Sequence, residues 1–117
     1  MYDKKTFNRQ AFYRAVYEIV KLVPPGRVTN YGAIARATGY PSLSRMVGAA
    51  MGVCGRYAEN VPAHRVVNAN GCLTGKDAFG HPGRMQQLLE GEGVIVKNNK
   101  VQHFKTLFWD PVNEIVE

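Results

Sequence analysis

The side chains that could act as nucleophiles or metal ligands are few. The only cysteines are Cys54 and Cys72, and they form neither a CxxC pair nor a group with a histidine at zinc-ligand spacing. Neither a metal site nor a disulfide framework is therefore expected. Isolated cysteines in cytosolic proteins usually behave as small hydrophobic residues, so we expect buried free thiols. A catalytic role for either cysteine would need its own activating base.

Basic residues outnumber acidic residues by 15 to nine, which gives a formal charge of +6. This excess favours nucleic acid or another anionic partner, although many small basic proteins bind no nucleic acid. A chain of 117 residues is expected to form one domain with a single core. No stretch approaches the ~20 apolar residues that cross a bilayer. We therefore expect a cytoplasmic protein that makes no membrane contact.

Apolar residues at steps of three and four predict helices over 7–23, 31–37, about 42–51 and 84–92. The first helix should end at Pro24-Pro25-Gly26, and Gly39 and Gly93 should close two of the others. Ser42 or Ser44 can cap the third helix. The second and third helices, joined by a short turn, fit a helix-turn-helix unit.

Short apolar runs around turn residues predict two hairpins, 65–67 with 72–73 and 94–96 with 101–104. Loops are predicted for 52–61 and 75–83, which have no clear period. The aromatic tail, 104–111, is expected to cover the core. The fold expected from these patterns is mainly α with small β elements.

Several separated blocks, 23–32, 45–51, 62–67, 71–75 and 88–93, give the chain a family resemblance. From about Phe12 to Gly93 it resembles the DNA-binding domain of the O6-alkylguanine-DNA alkyltransferases. The resemblance implies one winged helix-turn-helix domain over 1–117, with a core of about 7–96 and a C-terminal hairpin and aromatic tail over 97–117. It implies no cofactor and no metal.

The strongest departure from that family is Ala63. The family's active-site motif reads Pro-Cys-His-Arg-Val, and its cysteine takes the alkyl group from a flipped guanine, whereas an alanine methyl group cannot. His64 and Glu92 match the histidine and glutamate that help to deprotonate that cysteine through a water molecule. Here they have nothing to activate, so we expect them to support the fold. Arg65 should tie its strand to neighbouring carbonyl groups.

The resemblance also implies which residues contact DNA. Tyr31 matches a tyrosine that meets the phosphate beside the flipped nucleotide. Arg45 matches the arginine finger that fills the gap in the base stack, for which a planar guanidinium is suited. Gly48 and Ala49 match a helix that enters the minor groove. Small residues can equally indicate tight helix packing.

The expected lesion pocket consists of Tyr31, Pro62, Ala63 and Lys76. Alanine at the cysteine position, as in some alkyltransferase-like proteins, removes bulk from the pocket floor. Large O6-alkyl groups should therefore fit at least as well as methyl. Lys76 follows Thr74-Gly75 where some relatives have an arginine that reads the base, and a simple surface lysine is an equal alternative.

These observations predict a non-enzymatic, monomeric protein that binds and flips O6-alkylguanine in double-stranded DNA without alkyl transfer. The resemblance implies that it flags the lesion for nucleotide excision repair proteins. Two alternatives stay open. One is a winged-helix DNA-binding protein without lesion preference, and the other is a residual methylated-DNA-protein cysteine methyltransferase that uses Cys54 or Cys72.

Overall fold

The first helix is shorter than the range that its apolar pattern predicted. The computed structural model describes residues 7–57, 60–81 and 83–115. In it α1 spans Arg9–Val20, not 7–23. Asn8 starts the helix, because its side chain accepts a hydrogen bond of 3.0 Å from the backbone N–H three residues along. At the other end the chain leaves the helix before Val23, since Pro24 disfavours helical backbone at the residue that precedes it.

The expected helix-turn-helix unit consists of α2, Tyr31–Thr38, and α3, Ser44–Tyr57. The Asn30 side chain caps α2 by accepting a hydrogen bond of 2.8 Å from the backbone N–H of Ala33. Gly39 ends α2 in a left-handed conformation with φ of 93°, which a glycine adopts without steric cost. α3 begins at Ser44, one of the two serines that were expected to cap it, and Ser44 is its first helical residue.

α3 is longer than predicted, because it continues to Tyr57 through part of the segment 52–61 that was expected to be a loop. Its buried residues recur at helical spacing and join the core: Val47, Ala50, Met51 and Cys54. Gly52 and Gly55 lie on the exposed side of the helix. Each glycine costs about 1 kcal/mol relative to alanine, and burial of the opposite face offsets that cost.

The predicted hairpin of 65–67 with 72–73 is wrong in its strand pairing. β2, Val66–Val67, pairs in parallel with β1, Thr29–Asn30. The turn itself forms, because Asn68 N donates a hydrogen bond of 3.1 Å to Cys72 O. Cys72 then bridges to the C-terminal part of the chain. A parallel pair needs a long crossover connection, and here α2 and α3 supply it.

The C-terminal helix and hairpin are confirmed at slightly different bounds. α4 spans Arg84–Gly91, and the antiparallel strands β3 and β4 cover Val96–Lys97 and Lys100–Val101. Asn98 and Asn99 form the turn between the strands with φ of 53° and 59°. Asparagine tolerates this left-handed conformation better than most residues.

The core has two apolar clusters, and the tail closes part of it. One cluster lies between α1, α2 and α3, and the other gathers β2, α4 and the β3–β4 hairpin. Two short helices, α5 at Phe104–Leu107 and α6 at Pro111–Glu114, follow. Trp109 between them is 7% exposed, and its backbone N–H donates to Val28 O at 2.7 Å. The tail therefore covers the core as expected. Within the described segments no helix is both long and apolar enough for a bilayer.

Candidate nucleic-acid interface

The exposed face of α3 carries an arginine followed by small residues. Arg45, Ala49 and Gly52 are exposed, and Gly48 is half-buried. The spacing from Arg45 is three, four and seven residues, so these positions share one face of the helix. A carbon atom added at Gly52 would meet no other atom within 4 Å. This face therefore presents one long cation and a backbone that a partner can approach closely.

Tyr31 connects this face to the loop after β2. It is the first residue of α2, and its hydroxyl oxygen lies 3.2 Å from Thr74 Oγ1. A carbon atom added at Gly48 would lie 3.9 Å from the Tyr31 ring, and one added at Gly75 would lie 3.2 Å from the hydroxyl. The second distance is shorter than an ordinary contact, so only glycine leaves the phenol its present position.

Tyr31 forms one wall of a small cavity of about 40 Å³. Ala63, 8% exposed, forms another part of the wall. The remaining lining residues come from α3, from β2 and from the segment after it: Gly48, Met51, Gly52, Val66, Gly75, Ala78 and Phe79. Two of the four expected pocket residues, Tyr31 and Ala63, are thus brought together. Pro62 and Lys76 are half-buried neighbours of lining residues but are not part of the lining.

Ala63 occupies its position because of a tight turn. It begins a 3-10 turn, Ala63–Arg65, that leads directly into β2. The pairing of β2 with β1 holds this turn close to the start of α2, where Tyr31 lies. The cavity wall at this point is a methyl group, which has neither a proton to give nor a lone pair with which to attack.

The two residues after Ala63 form a charged network with Glu92 at the end of α4. His64 Nε2 donates to Glu92 Oε2 at 2.8 Å, and Arg65 donates from Nε to Oε1 at 3.0 Å and from Nη2 to Oε2 at 2.6 Å. Arg65 Nη1 also donates to Val23 O at 2.8 Å. The expectation that Arg65 ties its strand to a neighbouring carbonyl is therefore confirmed.

Glu92 is held in its ionised form. Burial by itself would raise the pKa of this carboxyl, but hydrogen bonds from Arg65, from His64 and from the backbone N–H of Gly26 outweigh it, and the pKa falls from 4.5 to about 2. The Gly26 bond is 3.2 Å long. The network thus joins three segments: the end of α4, the 3-10 turn Ala63–Arg65 and the loop after α1.

The two cysteines are not part of the cavity lining. Cys54 is buried and Cys72 is half-buried, and both are free. Burial raises the pKa of the Cys54 thiol, although nearby backbone hydrogen bonds lower it in part, so the reactive thiolate is disfavoured. In the segments 7–57, 60–81 and 83–115, no three His, Cys, Asp or Glu side chains come together as metal ligands.

Sequence reasoning missed most of the apolar lining. Gly52, Gly75 and Phe79 were not singled out, and neither was the contact of Thr74 with Tyr31. Gly52 could have been found, because it lies seven residues after Arg45 and so on the same helix face. Phe79 carried no such signal, since its segment, the 3-10 turn Lys76–Phe79, has no amphipathic period.

Comparisons with known proteins agree with this geometry. The family model described as the 6-O-methylguanine DNA methyltransferase DNA-binding domain matches residues 11–94. Alkyltransferase-like protein 1 from Schizosaccharomyces pombe is 38% identical over 94 residues, which cover 80% of this chain and 86% of that protein. The DNA base-flipping protein of Escherichia coli is 39% identical over 101 residues, or 83% of this chain and 73% of that protein.

A solved structure is similar over nearly its whole length. The crystal structure of S. pombe Atl1 in complex with damaged DNA containing O6-carboxymethylguanine superposes with a TM-score of 0.74 at 33% identity, covering 88% of this chain and 98% of that one. These matches agree with the mainly helical fold, with the helix-turn-helix unit and with the sequence blocks, which all indicate the same family. The chain belongs to the family of the 6-O-methylguanine DNA methyltransferase DNA-binding domain.

Proposed function

We propose that this protein recognises O6-alkylguanine in double-stranded DNA without transferring the alkyl group, and that it marks the lesion for nucleotide excision repair. The observation that carries the proposal is Ala63. It lies in the wall of a cavity, next to a hydrogen-bonded His64 and Glu92, and offers no nucleophile. Relatives named as an alkyltransferase-like protein and as a DNA base-flipping protein support the same function.

The exposed face of α3 is the surface that would enter the minor groove. Gly48, Ala49 and Gly52 let the helix backbone approach DNA closely. Arg45, exposed in the first turn of α3, would fill the gap left by the flipped nucleotide, and Tyr31 would contact the adjacent phosphate. Flipping costs a few kcal/mol in lost stacking and pairing, and stacking by the guanidinium plane of Arg45 would repay part of it.

The cavity must widen before a base can enter it. Its volume of about 40 Å³ is enough for water but not for a base. A purine is several times larger. We expect the 3-10 turn Lys76–Phe79 to be the wall that moves, because it contains no fully buried residue and only Phe79 in it packs against the core clusters. Its displacement would also bring Lys76 to the rim, where it would meet the alkylated base.

The alternative of a residual alkyltransferase finds no support at Cys54 or Cys72. Both thiols lie outside the cavity, and burial disfavours the thiolate of Cys54. We therefore expect the intact mass of the protein to stay unchanged after incubation with a duplex that contains O6-methylguanine. A gain equal to one methyl group would restore the enzymatic alternative.

The proposal can be tested by fluorescence anisotropy, which measures the affinity for a labelled duplex. The same duplex carries either guanine or O6-methylguanine at one position. We expect tighter binding to the lesion at a stated, moderate salt concentration, since phosphate contacts weaken as salt rises. Arg45→Ala should abolish the preference. Arg45→Lys is the matched control for charge, and it should keep overall affinity while losing most of the preference, because lysine lacks the planar group. Equal binding of both duplexes by the unaltered protein would favour a general DNA-binding module.

A further inference from the structure

A second, larger depression lies outside the candidate lesion site, along the outer side of α1. It is an open groove of about 680 Å³, lined by six residues of α1, by Lys21 directly after α1 and by Val53 of α3. No role was expected for this surface. We name it the α1 groove.

The α1 groove is positively charged. Its lining contains three cations, Arg9, Arg14 and Lys21, and one carboxylate, Glu18. Lys21 Nζ pairs with Glu18 at 3.1 Å, which leaves the two arginines as the net charge. Within the part of the chain that the structure describes, the Arg14 side chain has no hydrogen bond and no ion pair. A groove with this charge is complementary to an anionic ligand.

One arginine is already oriented. Arg9 lies over the Tyr13 ring, with its guanidinium carbon 5.4 Å from the ring centroid, and its Nη2 donates to the Tyr13 hydroxyl at 3.0 Å. Arg9 is exposed, and its contact with Tyr13 lowers the entropy that is lost when its remaining donors bind an anion. Phosphate is an anion that such a fork recognises well.

The groove is continuous with the exposed face of α3. Val53 follows Ala49 by four residues, so the two are neighbours on one side of the helix. Tyr17, on the groove side of α1, donates from its hydroxyl to Ala50 O at 2.9 Å and so holds α1 against α3. A duplex that lies along α3 past Ala49 would therefore arrive at the groove.

We propose that the α1 groove binds the sugar-phosphate backbone of the same duplex, to one side of the lesion. The inference rests on the proposed function, because it requires α3 to lie on DNA. Arg9 and Lys21 are separated along α1 by about 18 Å at 1.5 Å per residue. Each strand of a duplex carries one phosphate per about 3.4 Å of helix axis, so this length is enough to reach several phosphates. Arg14 lies between them. The pair of Lys21 with Glu18 is exposed, so Lys21 can exchange Glu18 for a phosphate, and the three cations can then contact separate phosphates of one strand.

The test is the salt dependence of binding to an undamaged duplex long enough to extend beyond α3. Each phosphate contact contributes about 0.9 to the slope of log K against log salt. The triple variant Arg9→Ala/Arg14→Ala/Lys21→Ala should therefore lower the slope by about 2.7. The ratio of affinities for lesion and undamaged duplexes should not change, because no groove residue lines the lesion cavity.

A charge-matched triple variant in the β3–β4 hairpin and α5 is the control, Lys97→Ala/Lys100→Ala/Lys105→Ala. It removes the same charge and should leave the slope near that of the unaltered protein. If the slope falls equally in both variants, net charge alone explains the effect and the proposal is overturned. An unchanged slope in the groove variant would also overturn it, and the groove would then be a candidate for an acidic peptide. Because the slope is measured on undamaged DNA, it stays informative even if lesion preference fails.

Discussion

The network around Glu92 predicts a specific acid sensitivity. Hydrogen bonds from Arg65 and His64 lower the pKa of Glu92 from 4.5 to about 2 despite its burial, and the side chain is 16% exposed. Each tenfold change in proton affinity is worth about 1.4 kcal/mol. The ionised carboxylate therefore contributes about 3 kcal/mol to folding at neutral pH. Glu92→Gln should lower the free energy of unfolding by about that amount.

The sign of the pH dependence follows from the lowered pKa. The contribution is complete above pH 4.5, where the carboxyl of the unfolded chain is also ionised, and it is lost as the pH falls towards 2. Glutamine carries no charge at any pH. The difference between the unaltered protein and Glu92→Gln should therefore close between pH 4.5 and pH 2.

Urea unfolding at pH 7, 5, 4 and 3 measures the difference in unfolding free energy between the two proteins. The fluorescence of the single tryptophan, Trp109, follows the unfolding. Trp109 is buried, so its emission reports the loss of the core. Glu18→Gln is the matched control, because its exposed pair with Lys21 should contribute less than about 1 kcal/mol. A free-energy difference for Glu92→Gln that is equally large at pH 7 and pH 3 would refute the account based on ionisation.

Two other substitutions test the core and the cavity. Thr29 is fully buried, and its Oγ1 has no hydrogen-bond partner among the described residues. Thr29→Val should raise the unfolding free energy by about 1 kcal/mol and the Tm by about 4 °C; an unchanged or lower Tm in a thermal melt would show that the hydroxyl is satisfied. Phe79→Ala should enlarge the cavity and improve binding of a duplex with a bulky O6-alkyl group relative to O6-methylguanine. Competition between the two duplexes measures this ratio, and a ratio that stays constant would show that Phe79 does not limit the pocket.

Local patterns predicted much of the helical framework because the relevant physics is local. Apolar spacing located α1 and α4, and an asparagine pair located the β3–β4 turn, since backbone angles at Asn98 and Asn99 depend on residue type. The end of α3 was predicted wrongly, at about residue 51, for the opposite reason. Gly52 and Gly55 lower the intrinsic helix propensity of the segment, and only the packing of the opposite face keeps it helical.

Strand pairing could not be predicted in the same way. Val66–Val67 could have paired with the segment after the Asn68 turn, and the apolar pattern favoured that short hairpin. The structure pairs β2 with β1 instead, which are separated by two helices along the chain. That choice depends on how α2 and α3 pack over the first apolar cluster, and no window of neighbouring residues contains this information.

The sequence by itself determined which chemical groups this protein has. It placed alanine at position 63, an arginine at the start of α3 and a tyrosine at the start of α2, and these identities carry the expectation of recognition without reaction. The tertiary structure decided how those groups meet. It set a cavity of about 40 Å³, joined Glu92 to the turn after Ala63, and aligned the cations of α1 beside α3. These features depend on distances between residues far apart in the chain, which only the packed fold defines.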